Sequence, residues 1–228
     1  MKILPFSKTF DGRTVLDFPG MEVEAGKIYA IIGANGSGKT TFAKILSGIQ
    51  SADKKGRCTD ACSVGYMRQK NYAFRMSTKA NILLGGKDES RANALMDAIQ
   101  IRHLENKRAD RLSGGETARM ALVRLMMGKY DLVILDEPTA GLDPSGREDI
   151  LAQIENYRKT KNATIMMVSH SMSDVARLAN RLLVMSGACL AMDGTPREVF
   201  SHAQELLDMG LDIPEITRVF LKLQQMGV

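Results

Sequence analysis

Ile28-Tyr29-Ala30-Ile31-Ile32-Gly33-Ala34-Asn35-Gly36-Ser37-Gly38-Lys39-Thr40 is the stretch on which the fold of this chain turns. Ile28 to Ile32 is an apolar run of strand length, which Lys27 introduces. Gly33 to Thr40 then fits G-x-x-x-x-G-K-T in full. Thr40 to Ser47 reads as a helix stopped by Gly48, the residue helices favour just past their ends. A buried strand, a glycine loop and a helix in that order form a phosphate cradle. The glycines let backbone N–H groups converge, and the helix presents its positive end. Asn35, Gly36, Ser37, Gly38 and Thr41 are expected around the phosphates. Lys39 should reach the β- and γ-phosphates as a point charge, and the Thr40 hydroxyl should ligate Mg²⁺.

The same alternation continues outward. Val64 to Arg68 reads as a strand, Ser113 to Met127 as a helix, Asp131 to Leu135 as a strand, Ser145 to Lys159 as a helix, and Ala163 to Val168 as a buried strand. Strand–helix alternation implies an α/β fold with a largely parallel sheet covered on both faces. Before it, turn signals at Asp11-Gly12, Pro19-Gly20 and Ala25-Gly26 punctuate short apolar runs and predict strands and hairpins. Between strands, residues 71–112 carry helical spacing (Ala92, Leu95, Met96, Ile99) broken at Gly85-Gly86, which predicts an inserted helical subdomain. Leu182 to Met192 reads as an antiparallel hairpin turning at Ser186-Gly187. The tail from Pro196 to Val228 reads as helical, with breaks at Gly210 and Pro214. We take the chain as one domain. Residues 1–68 and 113–200 form the core, about 70–112 the helical subdomain, and about 201–228 the tail.

Bulk properties narrow the class. With 228 residues, 44% of them hydrophobic, the chain can bury a substantial core. No segment approaches the ~18 uninterrupted apolar residues of a membrane span, and the opening Met1-Lys2-Ile3-Leu4-Pro5 does not read as a signal peptide. A cytoplasmic location follows as the expectation. The net charge of +5 suits an anionic ligand or a membrane surface, but the basic residues form no nucleic-acid stripe. Cys58, Cys62 and Cys189 make no disulfide framework, and with no histidine beside Cys58 and Cys62 they read as incidental reduced thiols rather than a metal clip.

The strand from Asp131 ends in two carboxylates. Asp136, held rigid beside the phosphate loop, is placed to hold Mg²⁺ directly or through water. Glu137, one residue on, can take the proton of an attacking water; the plainer reading is an acidic strand end that caps the next turn. Leu112-Ser113-Gly114-Gly115-Glu116 opens a helix. Ser113 and Glu116 fit an S-x-x-E capping box, and the same hydroxyl and bare N–H groups can also bind an anion. Gln69 alone is a surface glutamine, His170 alone a structural histidine, and Phe10 alone a core aromatic.

Taken together and in this order, these motifs resemble the nucleotide-binding subunit of an ATP-binding cassette (ABC) transporter, with Glu116 standing where glutamine is commoner. The resemblance implies a P-loop NTPase core of ABC ATPase type, with a β-hairpin-rich N-terminal subdomain and the inserted helical subdomain. It also implies ATP with Mg²⁺, and two nucleotides sandwiched head to tail between two ABC ATPase subunits. In that arrangement Ser113, Gly114, Gly115 and Glu116 contact the γ-phosphate held by the other copy, and Asp143 couples the two sites. Gln69 senses Mg²⁺ and the attacking water, His170 contacts the γ-phosphate, and Phe10 stacks on adenine. The resemblance further implies a transmembrane subunit docking near Gln69 and the helical subdomain, a peripheral place on the inner face of the cell membrane, and no nucleic-acid partner.

Segments of the C-terminal third, including Gly141 to Arg147, Ser169 to Ala176, Asp193 to Phe200 and Gly210 to Glu215, are similar to ATPases of energy-coupling-factor transporters, which import vitamins or transition-metal ions. That similarity implies a tail that helps hold two ATPases together; a tail that only packs on its own domain is the alternative. Residues 65–84 depart from the subgroup and look more like the loop of small-solute importers, so this loop does not identify the cargo. The alternative from another class is a soluble ABC ATPase working on ribosomes or DNA. One cassette without a heptad insert speaks against it.

Overall fold

The computed structural model of the chain describes residues 1–225 apart from Lys55 and Cys62. Along the chain run β1 (Lys2–Ile3), β2 (Phe6–Phe10), β3 (Arg13–Phe18), β4 (Met21–Glu22), β5 (Ile28–Gly33), α1 (Lys39–Leu46), β6 (Val64–Met67), α2 (Thr78–Leu83), α3 (Glu89–Ala98), α4 (Gly114–Met126), β7 (Leu132–Asp136), α5 (Pro144–Lys161), β8 (Thr164–Val168), α6 (Met172–Leu178), β9 (Arg181–Ser186), β10 (Cys189–Gly194), α7 (Pro196–Ser201), α8 (Ala203–Asp208) and α9 (Glu215–Gln225).

Every residue of β5, β7 and β8 is buried, as continuous apolar runs demand when both faces of a parallel sheet are covered. These strands lie inside an eight-stranded sheet of order β2-β3-β10-β9-β5-β8-β7-β6. Pairing is parallel from β9 across to β6. The other end is antiparallel at β9/β10 and β2/β3. A single parallel bridge, Cys189 to Asp17, carries the N-terminal hairpin onto the sheet. The hairpin turn at Asp11-Gly12 has φ of 47° and 76°, the left-handed pair that two-residue hairpins require.

The two faces of the sheet read out the period of two. Tyr29, Ile31, Ile134 and Val168 point to the side of α1, where Phe42 meets Phe18 edge-on at 4.8 Å between ring centroids. Ile28, Val133, Leu135, Ile165 and Met167 point to α3, α4 and α5, while Ala30, Ile32, Leu182 and Val184 face α6 to α8. This packing holds the C-terminal ends of β5, β7 and β8 side by side, where ligands of open α/β sheets bind.

Residues 71–112 contain α2 and α3 with two short 3₁₀ turns, at Arg102–Leu104 and Ala109–Arg111. Helix α6 was not read from the sequence. Its seven residues are too few to show a period, and its signals are end signals only: Ser171, whose hydroxyl accepts from Asp174 N at 3.2 Å as an N-cap, with Asp174 in the first turn and Arg177 in the last. The tail breaks at Gly210 and before Glu215 as expected, and also at His202. Met226 to Val228, within the segment read as helical, and Cys62 lie outside the described residues. Cys58 is half-buried and Cys189 exposed, both free.

Candidate functional site

The loop after β5 is shaped at a position that only glycine can fill. Gly38 has φ of 102°, and a Cβ there would sit 2.7 Å from Val15 O. No side chain caps the N-terminus of α1, so its first N–H groups face the loop. Lys39 is 7% exposed. Its Nζ donates to Gly33 O at 2.7 Å and Ala34 O at 2.9 Å. Burial lowers its pKa, while Glu137 and Asp136 pull it back up. The Ser37 side chain turns inward: its Oγ is buried without a partner, so Ser37 can offer the cradle only its backbone.

Asp136, 2% exposed, closes β7. Burial raises its carboxyl above the ordinary range, opposed by hydrogen bonds from Tyr66 and Thr40 and by the charges of Lys44 and Lys39. The Tyr66 hydroxyl donates to Asp136 Oδ2 at 3.2 Å, and burial together with Asp136 holds that phenol above its usual range. A withdrawn carboxylate beside a threonine hydroxyl is an oxygen-donor pair of the kind Mg²⁺ takes, with phosphate and water completing the shell. The residues fit that ion.

Glu137 follows with φ of 54°, a left-handed conformation uncommon for glutamate. Its N–H donates to Val168 O at 3.0 Å, which fastens the turn to β8. Burial raises its carboxyl, and His170 counters. Glu137 Oε2 accepts from His170 N at 3.5 Å. Oε1 lies 3.4 Å from His170 Nε2 and has no hydrogen-bond partner. A carboxyl of raised pKa with a free oxygen is equipped to accept a proton. It does not cap the next turn.

These groups share one cleft of about 330 Å³, lined by Phe10, Val15, Asn35, Gly36, Gly38, Lys39, Thr40, Thr41, Gln69, Asp136, Glu137, Val168 and His170. Phe10 is exposed at the cleft edge with Lys8 Nζ 5.3 Å from its ring centre, so it is no core aromatic.

The other predicted residues lie elsewhere. Ser113, Gly114, Gly115, Glu116 and Asp143 line a second depression that has no residue in common with the first. There the capping box is complete: Ser113 Oγ accepts from Glu116 N at 3.2 Å, and Glu116 Oε2 accepts from Ser113 N at 2.7 Å. The Ser113 N–H, and then Lys107, lower the Glu116 pKa. Glu116 is thus held by its own helix. Asp143 caps α5 and lies 3.4 Å from Arg119 Nη2, with most of its side chain in solvent. Sequence reasoning missed Tyr66. No signal in the sequence points to it, because only the pairing of β6 with β7, which sets Tyr66 opposite Ile134, brings its hydroxyl to Asp136.

Three comparisons bear on this geometry. The sequence profile described as "ABC transporter" matches residues 16–140. The energy-coupling factor transporter ATP-binding protein EcfA2 of Clostridium perfringens is 36% identical, over 90% of this chain and 81% of that protein. EcfA2 of Clostridioides difficile is 35% identical over 93% and 83%. Among solved structures, cbiO1 from Clostridium perfringens, described as part of the ABC transporter complex cbiONQ, superposes with a TM-score of 0.75 at 26% identity, over 96% of this chain and 97% of that one. A bacterial Atm1-family ABC exporter with ATP bound reaches a TM-score of 0.80 at 22% identity, over 91% and 41%, a likeness of fold alone.

Proposed function

This chain belongs to the ABC transporter family, and on that premise we propose that it is the ATP-hydrolysing subunit of an energy-coupling-factor type transporter, active only when two cassettes close on shared nucleotide. The observation that carries the reading is the division of one chain's motifs between two separate surfaces. One surface has the cradle, the carboxylates and His170. The other has an exposed helix start with a hydroxyl and free glycine backbone. Neither alone surrounds a γ-phosphate.

In this reading ATP lies in the first cleft with adenine against Phe10 and its phosphates over Asn35 to Thr41. Lys39 leaves the two loop carbonyls for the β- and γ-phosphates. Thr40, Asp136 and Gln69 would hold Mg²⁺, which when bound neutralises phosphate charge. Glu137 takes the proton of the attacking water through its free oxygen, and His170 positions that water and the γ-phosphate. Ser113, Gly114 and Gly115 of the second cassette stabilise charge on the departing phosphate with a hydroxyl and a helix N-terminus. Glu116 keeps that helix start in shape, and Asp143 links the two sites.

The membrane partner should engage the loop after Gln69. Tyr72 and Phe74 are exposed there, edge to face at 4.9 Å, and Leu84, at the end of α2, is exposed as well. Exposed apolar clusters of this kind mark interaction surfaces. Among the described residues no helix is long and apolar enough to cross a membrane, and this reading gives the spanning role to a transmembrane subunit. The chain then works at the inner face of the membrane. Ile216, Val219, Phe220 and Leu223 form an exposed apolar stripe along α9, which supports a tail that meets the other ATPase rather than one that only packs on its own domain. Its relatives' names favour the ATPase of a membrane transporter over a soluble ATPase acting on ribosomes or DNA; import of a vitamin, metal ion or other small solute is what the likeness of the C-terminal third to energy-coupling-factor ATPases implies.

The test is ATP turnover against protein concentration. Specific activity should rise with concentration and saturate, as a shared site requires. Constant specific activity down to concentrations at which the chain is strictly monomeric would overturn the two-cassette reading.

A further inference from the structure

Arg147 and Asp174 belong to the segments that set the C-terminal third apart in sequence, yet neither lines the nucleotide cleft. They meet in a polar cluster outside its lining. Asp174 is 3% exposed. Its Oδ1 accepts from Arg147 Nε at 2.8 Å, and its Oδ2 accepts from the Thr139 hydroxyl at 2.9 Å. Arg147 Nη2 reaches on to Ser173 Oγ at 2.8 Å and to Ser171 Oγ.

The cluster's position is informative. Thr139 lies two residues beyond Glu137. Ser171 adjoins His170 and caps α6. Arg147 is in the first turn of α5, the helix that Asp143 caps. One buried carboxylate therefore ties together the loop after β7, the loop after β8 and the start of α5. A buried carboxylate is costly unless every oxygen is paired, so removing one partner is felt by the others. Packing alone does not require such a group where the segments bearing Glu137, His170 and Asp143 converge.

We infer that Asp174 is a positioning residue: through Thr139 and Arg147 it holds the Glu137 and His170 loops in register with the Asp143 turn, so that a shift of this turn against the second cassette reaches the groups that handle water. The inference rests on the hydrolytic reading of the cleft. It also assigns a use to the Arg147 and Asp174 segments that is independent of cargo.

Thr139 offers the sharpest test. Thr139→Val keeps the shape and removes the donor, whereas Thr139→Ser restores it. With the full chain, MgATP binding and steady-state hydrolysis are measured for both and for Asp174→Asn, alongside melting temperatures. Thr139→Val and Asp174→Asn should bind MgATP within about twofold of the wild type and lose about tenfold or more in kcat, the scale of a misplaced reacting group. Thr139→Ser should recover most of it. The loss should persist well below the variants' melting temperatures. Unchanged kcat in Thr139→Val, binding lost in parallel with kcat, or activity lost only as the chain unfolds would each overturn the inference. An inactive wild-type chain would instead overturn the hydrolytic reading, and this inference with it.

Discussion

In the phosphate cleft Lys39, Asp136 and Glu137 are all withdrawn from solvent, and burial is the first cause of the shift in each. On the Ser113 face the reverse holds. Ser113 and Gly114 are exposed, and the nearest carboxylate, Glu116, is committed to its own helix cap and to Lys107. One region keeps charges under tension; the other is electrostatically satisfied and offers shape and free N–H groups. On the proposed reading, reactive groups kept out of water need a partner that brings donors without bringing more charge, and a capped helix start can be that partner.

The comparison breaks most readily at Glu137. Glu137→Gln should lower kcat about 10²–10⁴-fold, the worth of a general base, while retaining MgATP binding and shifting toward dimer on gel filtration with MgATP. Full activity would remove Glu137 from its role. Ser113→Arg should come next, costing about 10²–10³-fold in kcat with ATP binding to the monomer within about twofold. Equal loss of binding would mean that the Ser113 face serves its own chain.

Smaller effects sharpen the contrast. Tyr66→Phe leaves Asp136 with one donor fewer. It should cost about 1–2 kcal/mol by chemical denaturation and raise the Mg²⁺ needed for half-maximal turnover. Glu116→Ala should cost only about 0.5–1 kcal/mol, the range of a lost cap, and leave nucleotide affinity alone. The smallest is a pH trend. Because burial raises Glu137, the folded chain keeps its proton to higher pH than the unfolded chain does. The contribution of this group is therefore most favourable in acid and falls as pH rises through its folded value. Glu137→Gln should accordingly melt like the wild type in acid and above it near neutrality; a gap that narrows with rising pH would contradict the burial argument.

The core strands were legible because β5, β7 and β8 carry their burial as unbroken apolar runs, and the glycine loop because its backbone chemistry admits few residue types. Ser113–Glu116 was legible as a cap for the same local reason, and its two reciprocal bonds are present. What the chain order concealed was spatial. Spacing cannot reveal that Ser113 and Asp143 gather on one surface while Lys39 and His170 gather on another. Nor can it reveal that Tyr66 leans from β6 onto Asp136, because strand order is a property of the sheet. The seven-residue α6 and the break at His202 escaped because each is set by packing against the sheet and not by a period.

Lys39 gives the loop one further property. Its ammonium donates to Gly33 O and Ala34 O, so the loop wraps its own cation much as it would a guest. On the proposed reading, loading the loop swings one side chain from two neutral oxygens to a charged one, and unloading is the same swing reversed.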